Sequence, residues 1–395
     1  MATEVDAYIF IKRKLNELGW DTRNPQRNPD GQVYTQNECL ANPYIKAALG
    51  RERPENIVKI TEGEIWVIEA KSTHGNIDKA SNEAKEYASK INSRSIYSTR
   101  IVSGVAGNDD DGFVVKTKYL KNQKWLPVEI NGIEATGLLS PNECDTLLST
   151  NQSNIEDPEI DDRRFIATAE KINSILHEGA VNPHQRATVV SALLLSMLTQ
   201  HGPNIEERET SILIDDINAR VRNVLRAQGK SGFREQINIP LPSAAENHVK
   251  FRRALVESLQ ELRGLNIHSA MQSGADWLGT FYEVFLKYAR WSRDLGIVLT
   301  PRHITQFAAR VMNITSRDIV YDPTCGTGGF LVSAFEVVKK NATKSQLEKF
   351  KQNSVFGLEQ DDGIAALAIV NMIFRGDGKN NIEQANCFAK SLTRK

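Results

Sequence analysis

Two glutamates and a lysine in the N-terminal third have types and spacing suited to metal-assisted chemistry. Glu55 precedes one apolar run, Glu69, Ala70 and Lys71 close the next, and Gly63 lies between the two runs. This pattern predicts a β-hairpin in which Glu69 and Lys71 share a face and Glu55 converges with Glu69. Carboxylate and carbonyl oxygens suit Mg²⁺, which polarises a phosphodiester and activates water, while Lys71 offsets negative charge. For a Glu-x-Lys pattern alone, a solvated ion pair is the alternative.

A glycine-rich segment near the C-terminus is the second group. Tyr321–Phe330, with the sequence YDPTCGTGGF, follows a β-branched run and precedes a helix predicted over Leu331–Lys340. Glycines at this position allow a sharp turn that brings backbone N–H groups close to a ligand at a helix N-terminus. Asp322 ends the first strand and can accept hydrogen bonds from a cationic amine. Glu359 ends the second strand, where an acid commonly holds ribose hydroxyls. A structural strand-to-helix turn is the alternative.

This glycine-rich segment resembles the S-adenosylmethionine loop of amino DNA methyltransferases, namely the adenine-modifying subunits of type I systems and their type IIG relatives. Two upstream stretches extend the resemblance. Leu295–Ile304 is similar to the motif before the loop in this family, and Trp277–Phe285 is similar to part of its helical domain. The resemblance covers roughly residues 165–395. It implies S-adenosylmethionine as the methyl donor and adenine in double-stranded DNA as the target.

Carried over position by position, the resemblance implies three groups of cofactor-binding residues. They are Thr300, Pro301 and Arg302 on the methionine side, Asp322 with the backbone of Thr324, Cys325 and Gly326 around the amino-acid part, and Glu359 on the ribose. We expect Cys325 to be a small residue of the loop without a catalytic role. Asn386 falls where the family usually has an acid beside the adenine ring, so the sequence departs from the family pattern there.

The family holds a flipped adenine with an Asn/Asp-Pro-Pro-aromatic tetrapeptide, and the sequence contains none. Asn42-Pro43-Tyr44 lacks the second proline and precedes the cofactor loop. We therefore expect the chain to be the front part of a longer protein. Methyl transfer would then need missing C-terminal residues, including a target-recognition region, or a partner such as a specificity subunit.

The hairpin residues resemble the PD-(D/E)xK nuclease motif, with Glu55 in place of the usual Asp. A following helix carries Glu83 and Tyr87, similar to the Q-x-x-x-Y motif of type I restriction nucleases with Glu in place of Gln. The resemblance implies that Glu55, Glu69, Lys71 and Glu83 are catalytic and that Glu55 and Glu69 hold Mg²⁺. A nuclease placed before a methyltransferase helical domain is the layout of type IIG enzymes.

Apolar periodicity predicts an α/β domain over residues 1–150, of the PD-(D/E)xK-like class. Its predicted elements are a helix over residues 4–18, the hairpin Asn56–Ile60 and Glu64–Glu69, the helix Ala80–Ile91, and the strands Arg100–Val105, Phe113–Tyr119 and Trp125–Ile130. The polar and acidic stretch Ser149–Asp162 predicts a linker after this domain.

Two further domains are predicted after the linker. An all-α domain over 163–292 is predicted from the helices Phe165–Leu176, Ala187–Leu198, Ile212–Ala227, Val249–Leu262 and Trp277–Arg290. A further helix over His303–Met312 opens the segment 293–395. The pattern that follows is a strand, a glycine-rich loop, a helix, a second strand and a second helix. This order predicts the start of a doubly wound α/β domain.

Composition narrows the functional classes. Lys+Arg and Asp+Glu each number 49, so the formal net charge is zero, which excludes binding of nucleic acid by bulk charge but leaves local basic patches open. The four cysteines include no Cys-x-x-Cys pair, which argues against a disulfide framework or a zinc ribbon. No secretory signal occurs, nor any stretch of the ~20 apolar residues that span a bilayer, which predicts a cytoplasmic protein without membrane association.

Two functional hypotheses follow from these patterns. The first is the N-terminal portion of a restriction-modification protein that combines a Mg²⁺-dependent DNA endonuclease with an adenine DNA methyltransferase. The second is a DNA-binding, cofactor-sensing module whose activities are vestigial or supplied by a partner chain. Mg²⁺-dependent cutting of DNA that disappears when Glu69 is replaced by alanine would favour the first hypothesis.

Overall fold

The computed structural model describes residues 4–156, 162–199, 202–266, 281, 284–285, 300–374 and 381–389. Contacts within the chain define two units. The first holds Met1–Glu159 and Arg263–Ser269, and the second holds Ile160–Leu262 and Ala270–Lys395. None of the described helices is both long and apolar enough to cross a lipid bilayer.

A mixed β-sheet lies at the centre of the first unit. Within the described residues its order is β1-β2-β3-β4-β5-β6, with β1 at Val33–Thr35, β2 at Asn56–Lys59, β3 at Glu64–Lys71, β4 at Ser98–Asn108, β5 at Gly112–Lys121 and β6 at Lys124–Pro127. Neighbouring strands are antiparallel except β3 and β4, which are parallel. Parallel neighbours require a crossover, and the helix Ile77–Arg94 supplies it. The predicted hairpin and helix and the strands predicted over Arg100–Val105 and Phe113–Tyr119 are therefore present.

Helices accompany both faces of this sheet. They are α1 (Glu4–Glu17), α2 (Gln36–Cys39), α3 (Pro43–Leu49) and the crossover helix α4 (Ile77–Arg94). Trp66 of β3 shares a core with α1, whereas the next residue, Val67, shares a core with α4. Successive side chains of a strand point to opposite faces, so Glu69 and Lys71 lie on the α4 face of the sheet.

Two sequence predictions for the end of the first unit were wrong. The single strand predicted over Trp125–Ile130 is two strands, because Pro127 has no N–H group to continue the ladder of β6; the second piece is β7 (Glu129–Ile130). The stretch predicted as a linker contains β9 (Asn154–Ile155), which pairs with β7 and buries Ile155. A small sheet in the order β8-β7-β9 results, with β8 at Ile133–Glu134 and helix α5 at Pro141–Thr150.

The second unit begins with helices at the positions that apolar periodicity predicted. They are α6 (Asp162–Glu178), α7 (Pro183–Met197), α8 (Thr210–Ala227) and α9 (His248–Gly264). The predicted helix Trp277–Arg290 lies outside the described residues except for Phe281, Val284 and Phe285, which are helical and buried. Residues 295–299 of the predicted motif before the loop also lie outside the described residues.

A parallel sheet follows in the second unit, with the described order β10-β11-β12. Its strands are β10 (Val320–Asp322), β11 (Val355–Glu359) and β12 (Asn381–Gln384), and its helices are α10 (Arg302–Val311), α11 (Gly329–Asn341), α12 (Lys344–Asn353) and α13 (Asp362–Ile373). Alternation of parallel strands with helices is the pattern of a doubly wound α/β fold, as the sequence predicted.

Candidate functional site

Four predicted residues of the first unit meet at the carboxyl end of β3 and are called here the glutamate–lysine cluster: Glu55, Glu69, Lys71 and Glu83. Lys71 Nζ lies 2.7 Å from Glu69 Oε1 and 2.7 Å from Glu83 Oε2. The backbone N–H of Glu55 donates to Glu69 Oε2 at 3.3 Å. The strand β3, the residue that precedes β2, and helix α4 therefore contribute to one contact network.

Glu55 is held by a residue without a sequence signal. The side-chain amide of Gln36 donates from Nε2 to Glu55 Oε2 over 2.7 Å. Gln36 is the first residue of α2, directly after β1, and β1 pairs with β2 so that Thr35 lies opposite Asn56. This strand pairing brings Gln36 beside Glu55. It could not be predicted because β1 has only three residues and shows no alternation.

Gly104 of β4 sets how closely α4 approaches the sheet. A Cβ atom at this position would lie 2.6 Å from the backbone nitrogen of Ser81 and 3.1 Å from the carbonyl oxygen of Ile77. Gly104 is also the partner of Glu69 across the parallel strands. The missing side chain therefore lets α4 lie against the sheet at the level of Glu69, which brings Glu83 within reach of Lys71.

Gly104→Ala is expected to lower the free energy of unfolding by about 1–3 kcal/mol, the usual range for overpacking a close contact. The added methyl group meets helix backbone, which cannot rotate away as a side chain can. Gly75→Ala is the matched control, because a Cβ at Gly75 meets no atom within 4 Å. Urea unfolding of both variants checks this, and equal midpoints would contradict the close packing of α4 on Gly104.

Burial governs the charge of Glu69. Glu55 and Glu69 are only 5% and 6% exposed. Removal from water, with smaller contributions from the charges of Glu83 and Glu55, raises the pKa of Glu69 to about 7, although the contact with Lys71 opposes the shift. Burial, with the charges of Glu69 and Glu83, also raises the pKa of Tyr87 to about 12. Negative charge is therefore concentrated here, and a bound cation would relieve it.

The raised pKa of Glu69 predicts a pH dependence of the metal-free protein. Between pH 4.5, its ordinary pKa, and about 7, the folded protein binds more protons at this group than the unfolded chain. The contribution of Glu69 to the free energy of unfolding therefore falls as pH rises through that window. Urea unfolding in EDTA should show this fall in the wild type but not in Glu69→Gln. Parallel pH profiles would contradict the assignment.

The donor atoms of the cluster fit Mg²⁺ only if water completes the shell. Mg²⁺ in proteins is commonly bound by one or two carboxylates and keeps several waters. Among the residues that the structure describes, no group of three His, Cys, Asp or Glu side chains is arranged to hold a metal ion. Glu55 and Glu69 would thus provide a two-carboxylate site.

In the second unit, the glycine-rich loop connects β10 to α11. Gly326 and Gly328 have φ angles of +55° and +86°, which glycine adopts without steric cost. The N–H of Thr324 donates to Asp322 Oδ1 at 3.1 Å, and the N–H of Gly326 donates to Glu359 Oε2 at 3.0 Å. Both predicted carboxylates therefore contact the loop.

The backbone of the loop differs from the expectation that its N–H groups face a ligand. Thr324 and Gly326 donate to carboxylates, and the N–H of Cys325 donates to the carbonyl oxygen of Leu358 at 2.8 Å. These donors hold the loop on the strands. Burial raises the pKa of Asp322, and the charge of Glu359 acts in the same direction. A cationic ligand group would therefore be stabilised beside Asp322 more than an anionic one.

The side chain of Cys325, a residue of the glycine-rich loop, is buried. Burial raises the pKa of its thiol to about 12, and the charges of Asp322 and Glu359 contribute. A protonated thiol is a poor nucleophile. Its Sγ would also lie 3.0 Å from a Cβ added at Gly357, so Cys325 packs directly on β11.

Helix α10 begins at the predicted motif residues and contacts α11, the helix that follows the glycine-rich loop. Pro301 is the N-cap of α10, so Thr300 and Arg302 flank the start of this helix. The hydroxyl of Ser333 on α11 donates to Thr305 Oγ1 at 2.8 Å. The first turn of α10 is thereby tied to the first turns of the helix that follows the glycine-rich loop.

Two asparagines complete the surroundings of the loop. Asn371 of α13 is buried and donates from Nδ2 to the carbonyl oxygen of Thr327 at 3.0 Å. This contact could not be predicted, because a single Asn within an apolar helix shows no pattern in the sequence. Asn386 follows β12, and its Oδ1 accepts the N–H of Phe388 at 2.9 Å. The neighbouring Ala385 donates its N–H to the carbonyl oxygen of Glu359 at 2.9 Å. Asn386 therefore lies near Glu359.

Residues 273–395 match the family model described as N-6 DNA Methylase. This match lies within the second unit and includes β10, the glycine-rich loop and Glu359. The C-terminal part of the chain is thus similar to N-6 DNA methylases.

Curated relatives from restriction-modification systems agree with this similarity. The chain is 45% identical over 114 residues to the type II restriction enzyme and methyltransferase RM.BcgI of Heyndrickxia coagulans. This alignment covers 28% of this chain and 18% of the relative. It is 30% identical over 135 residues to the type I restriction enzyme EcoEI methylase subunit of Escherichia coli. This second alignment covers 34% of this chain and 27% of the relative. The chain therefore spans less than a third of either relative.

Among solved structures, a modification subunit of a putative type I restriction enzyme from Vibrio vulnificus YJ016 aligns with a TM-score of 0.42 and 18% identity. That alignment covers 58% of this chain and 57% of the solved one.

Proposed function

We propose that the second unit binds S-adenosylmethionine as part of an N6-adenine DNA methyltransferase of a restriction-modification system. The observation that carries this proposal is the convergence of Asp322 and Glu359 on the glycine-rich loop, inside the segment that matches the N-6 DNA methylase family. Asp322 would attract the ammonium group of the cofactor, and Glu359 would accept hydrogen bonds from the ribose. Thr300, Pro301 and Arg302 would lie on the methionine side.

Double-stranded DNA is the proposed substrate, and a specificity subunit or a further target-recognition region is the proposed partner. One curated relative is a methylase subunit of a type I restriction enzyme, and the other joins restriction and methylation in its name. Residues 1–395 contain no Asn/Asp-Pro-Pro-aromatic tetrapeptide. We therefore expect methyl transfer to need groups supplied in addition to these residues.

Calorimetric titration with S-adenosylmethionine, paired with a tritiated-methyl transfer assay on duplex DNA, tests both statements. We expect measurable binding and no transfer by the 395-residue chain alone. Absence of binding would reject the cofactor site. Transfer by the chain alone would mean that another group, such as Asn386, holds the adenine.

A second function, Mg²⁺-dependent cleavage of DNA by the first unit, is proposed from the glutamate–lysine cluster. Two buried carboxylates beside a lysine match the requirements of metal-assisted phosphodiester hydrolysis. Glu55 and Glu69 would hold the metal, and Lys71 would orient water or offset developing charge. Glu83 contacts Lys71 and would position it. DNA binding without cutting or methylation would instead favour a cofactor-sensing module with vestigial activities.

A further inference from the structure

Lysines of the first unit gather on the flank of α4 that lies away from Glu69. Lys116 and Lys118 belong to β5, whose alternate residues Phe113 and Tyr119 pack in the core on the α1 side. Successive strand residues alternate between faces, so both lysines lie on the α4 face. Lys85 follows Asp78 by about two turns of α4 and therefore lies on the same face of this helix. Burial lowers the pKa of Lys85, and the charge of Lys118 acts in the same direction.

The carboxylate of Asp78 is in contact with one of these lysines. Lys116 Nζ lies 2.7 Å from Asp78 Oδ1, and the Asp78 side chain is 74% exposed. The hydrogen bond from Lys116 is the largest cause of the lowered pKa of Asp78, and the charges of Lys118 and Lys85 add to it. One carboxylate cannot neutralise the three ammonium groups of Lys85, Lys116 and Lys118, so positive charge is in excess among these four residues. Their mutual repulsion would be relieved by a second anion.

The lysine group lies at the level of the glutamate–lysine cluster. Glu69 pairs with Gly104 on β4, and Gly104 pairs with Lys116 on β5. Neighbouring strands are about 4.8 Å apart, so the backbone positions of Glu69 and Lys116 are separated by roughly 10 Å. Helix α4 lies over Gly104 between them. This separation is comparable to the ~12 Å width of the DNA major groove.

We propose that Lys85, Lys116 and Lys118 form a contact surface for backbone phosphates of duplex DNA beside the cleavage centre. The inference rests on the proposed nuclease function, since that function places a phosphodiester at Glu55 and Glu69. Phosphates on both flanks of α4 would fix the duplex against the first unit. Such contacts position DNA without reading its sequence.

Binding of a fluorescent duplex of mixed sequence, followed by anisotropy in EDTA between about 50 and 200 mM salt, tests the surface. Lys116→Gln/Lys118→Gln should bind roughly tenfold or more weakly near 0.1 M salt, with a slope of log affinity against log salt reduced by about 2. Lys46→Gln/Lys124→Gln removes two exposed lysines elsewhere in the same unit and is the matched control. An equal slope in the two double variants would overturn the proposal.

Asp78→Asn supplies a test of opposite sign. Removal of the competing carboxylate should tighten DNA binding and steepen the salt slope, a result that loss of folding cannot produce. Unchanged or weaker binding in this variant would count against the surface. Because the assay contains no metal, it measures binding whether or not the protein cuts DNA, so failure of the nuclease function is seen separately, as absent cleavage with normal binding.

Discussion

Glu69→Ala should abolish Mg²⁺-dependent cleavage of plasmid DNA by the full chain, with a loss of at least roughly 10³-fold. Glu69 joins two other members of the glutamate–lysine cluster, since it accepts hydrogen bonds from both Lys71 and the backbone of Glu55. Its removal takes away one of the two proposed metal ligands and the partner of Lys71. The remaining carboxylate of Glu55 would hold Mg²⁺ too weakly to activate water.

Glu64→Ala is the matched control for this loss. Glu64 begins the same strand, and its carboxylate is also paired, with Arg100 at 2.8 Å, but it lies at the opposite end of β3. Cleavage should survive in this variant. If Glu69→Ala cuts DNA as fast as Glu64→Ala does, the cluster is not the cleavage centre. Thermal unfolding with and without Mg²⁺ adds a second measurement, because a metal that binds the folded state should raise the stability of the wild type and of Glu64→Ala but not of Glu69→Ala.

Glu359→Gln should weaken S-adenosylmethionine binding by roughly 100-fold, the effect of losing hydrogen bonds to a charged group worth about 1.5–3 kcal/mol each. The carboxylate accepts N–H groups from both Gly326 and Asp361. An amide in its place turns its NH₂ group toward one of these two backbone N–H groups, so one of the hydrogen bonds that Glu359 accepts is lost. The proposed ribose contact is lost at the same time.

Isothermal titration calorimetry measures this effect directly. Glu348→Gln on α12 is the control, because Glu348 is an exposed partner of Lys351 and lies outside the glycine-rich loop and β11 in the same unit. The control should bind S-adenosylmethionine as the wild type does. Equal affinities of the two variants would exclude Glu359 from the cofactor site. Cleavage of DNA should be unchanged in both, because the glutamate–lysine cluster belongs to the first unit.

Much of the fold could be predicted from residue patterns, because the patterns reflect local backbone rules. The run of β-branched and aromatic residues within Glu64–Lys71 predicted the strand, and the two-residue period of a strand predicted the shared face of Glu69 and Lys71. Apolar spacing predicted α6 to α9 within a few residues of their observed ends. The glycines of Tyr321–Phe330 predicted the loop, since a left-handed φ angle is a property of single residues.

Local patterns failed where an element exists only because of its neighbours. The strand β9 has two residues and was predicted to be part of a linker, yet it pairs with β7 and buries Ile155. The strand β1 is equally short and is defined by its pairing with β2. Such short segments have too few residues to show a period, so pairing with a distant strand decides their structure.

By itself, the sequence determined the identity of the chemical groups: two hairpin glutamates with a lysine, and two acids at the ends of parallel strands beside a glycine-rich loop. The tertiary structure alone decided which groups meet. The contact of Glu83 with Lys71 depends on α4 lying close over Gly104, and the contact of Gln36 with Glu55 depends on β1 pairing with β2. These contacts join residues far apart in the chain. Their distances are fixed by packing and strand register, which no local spacing of residue types records.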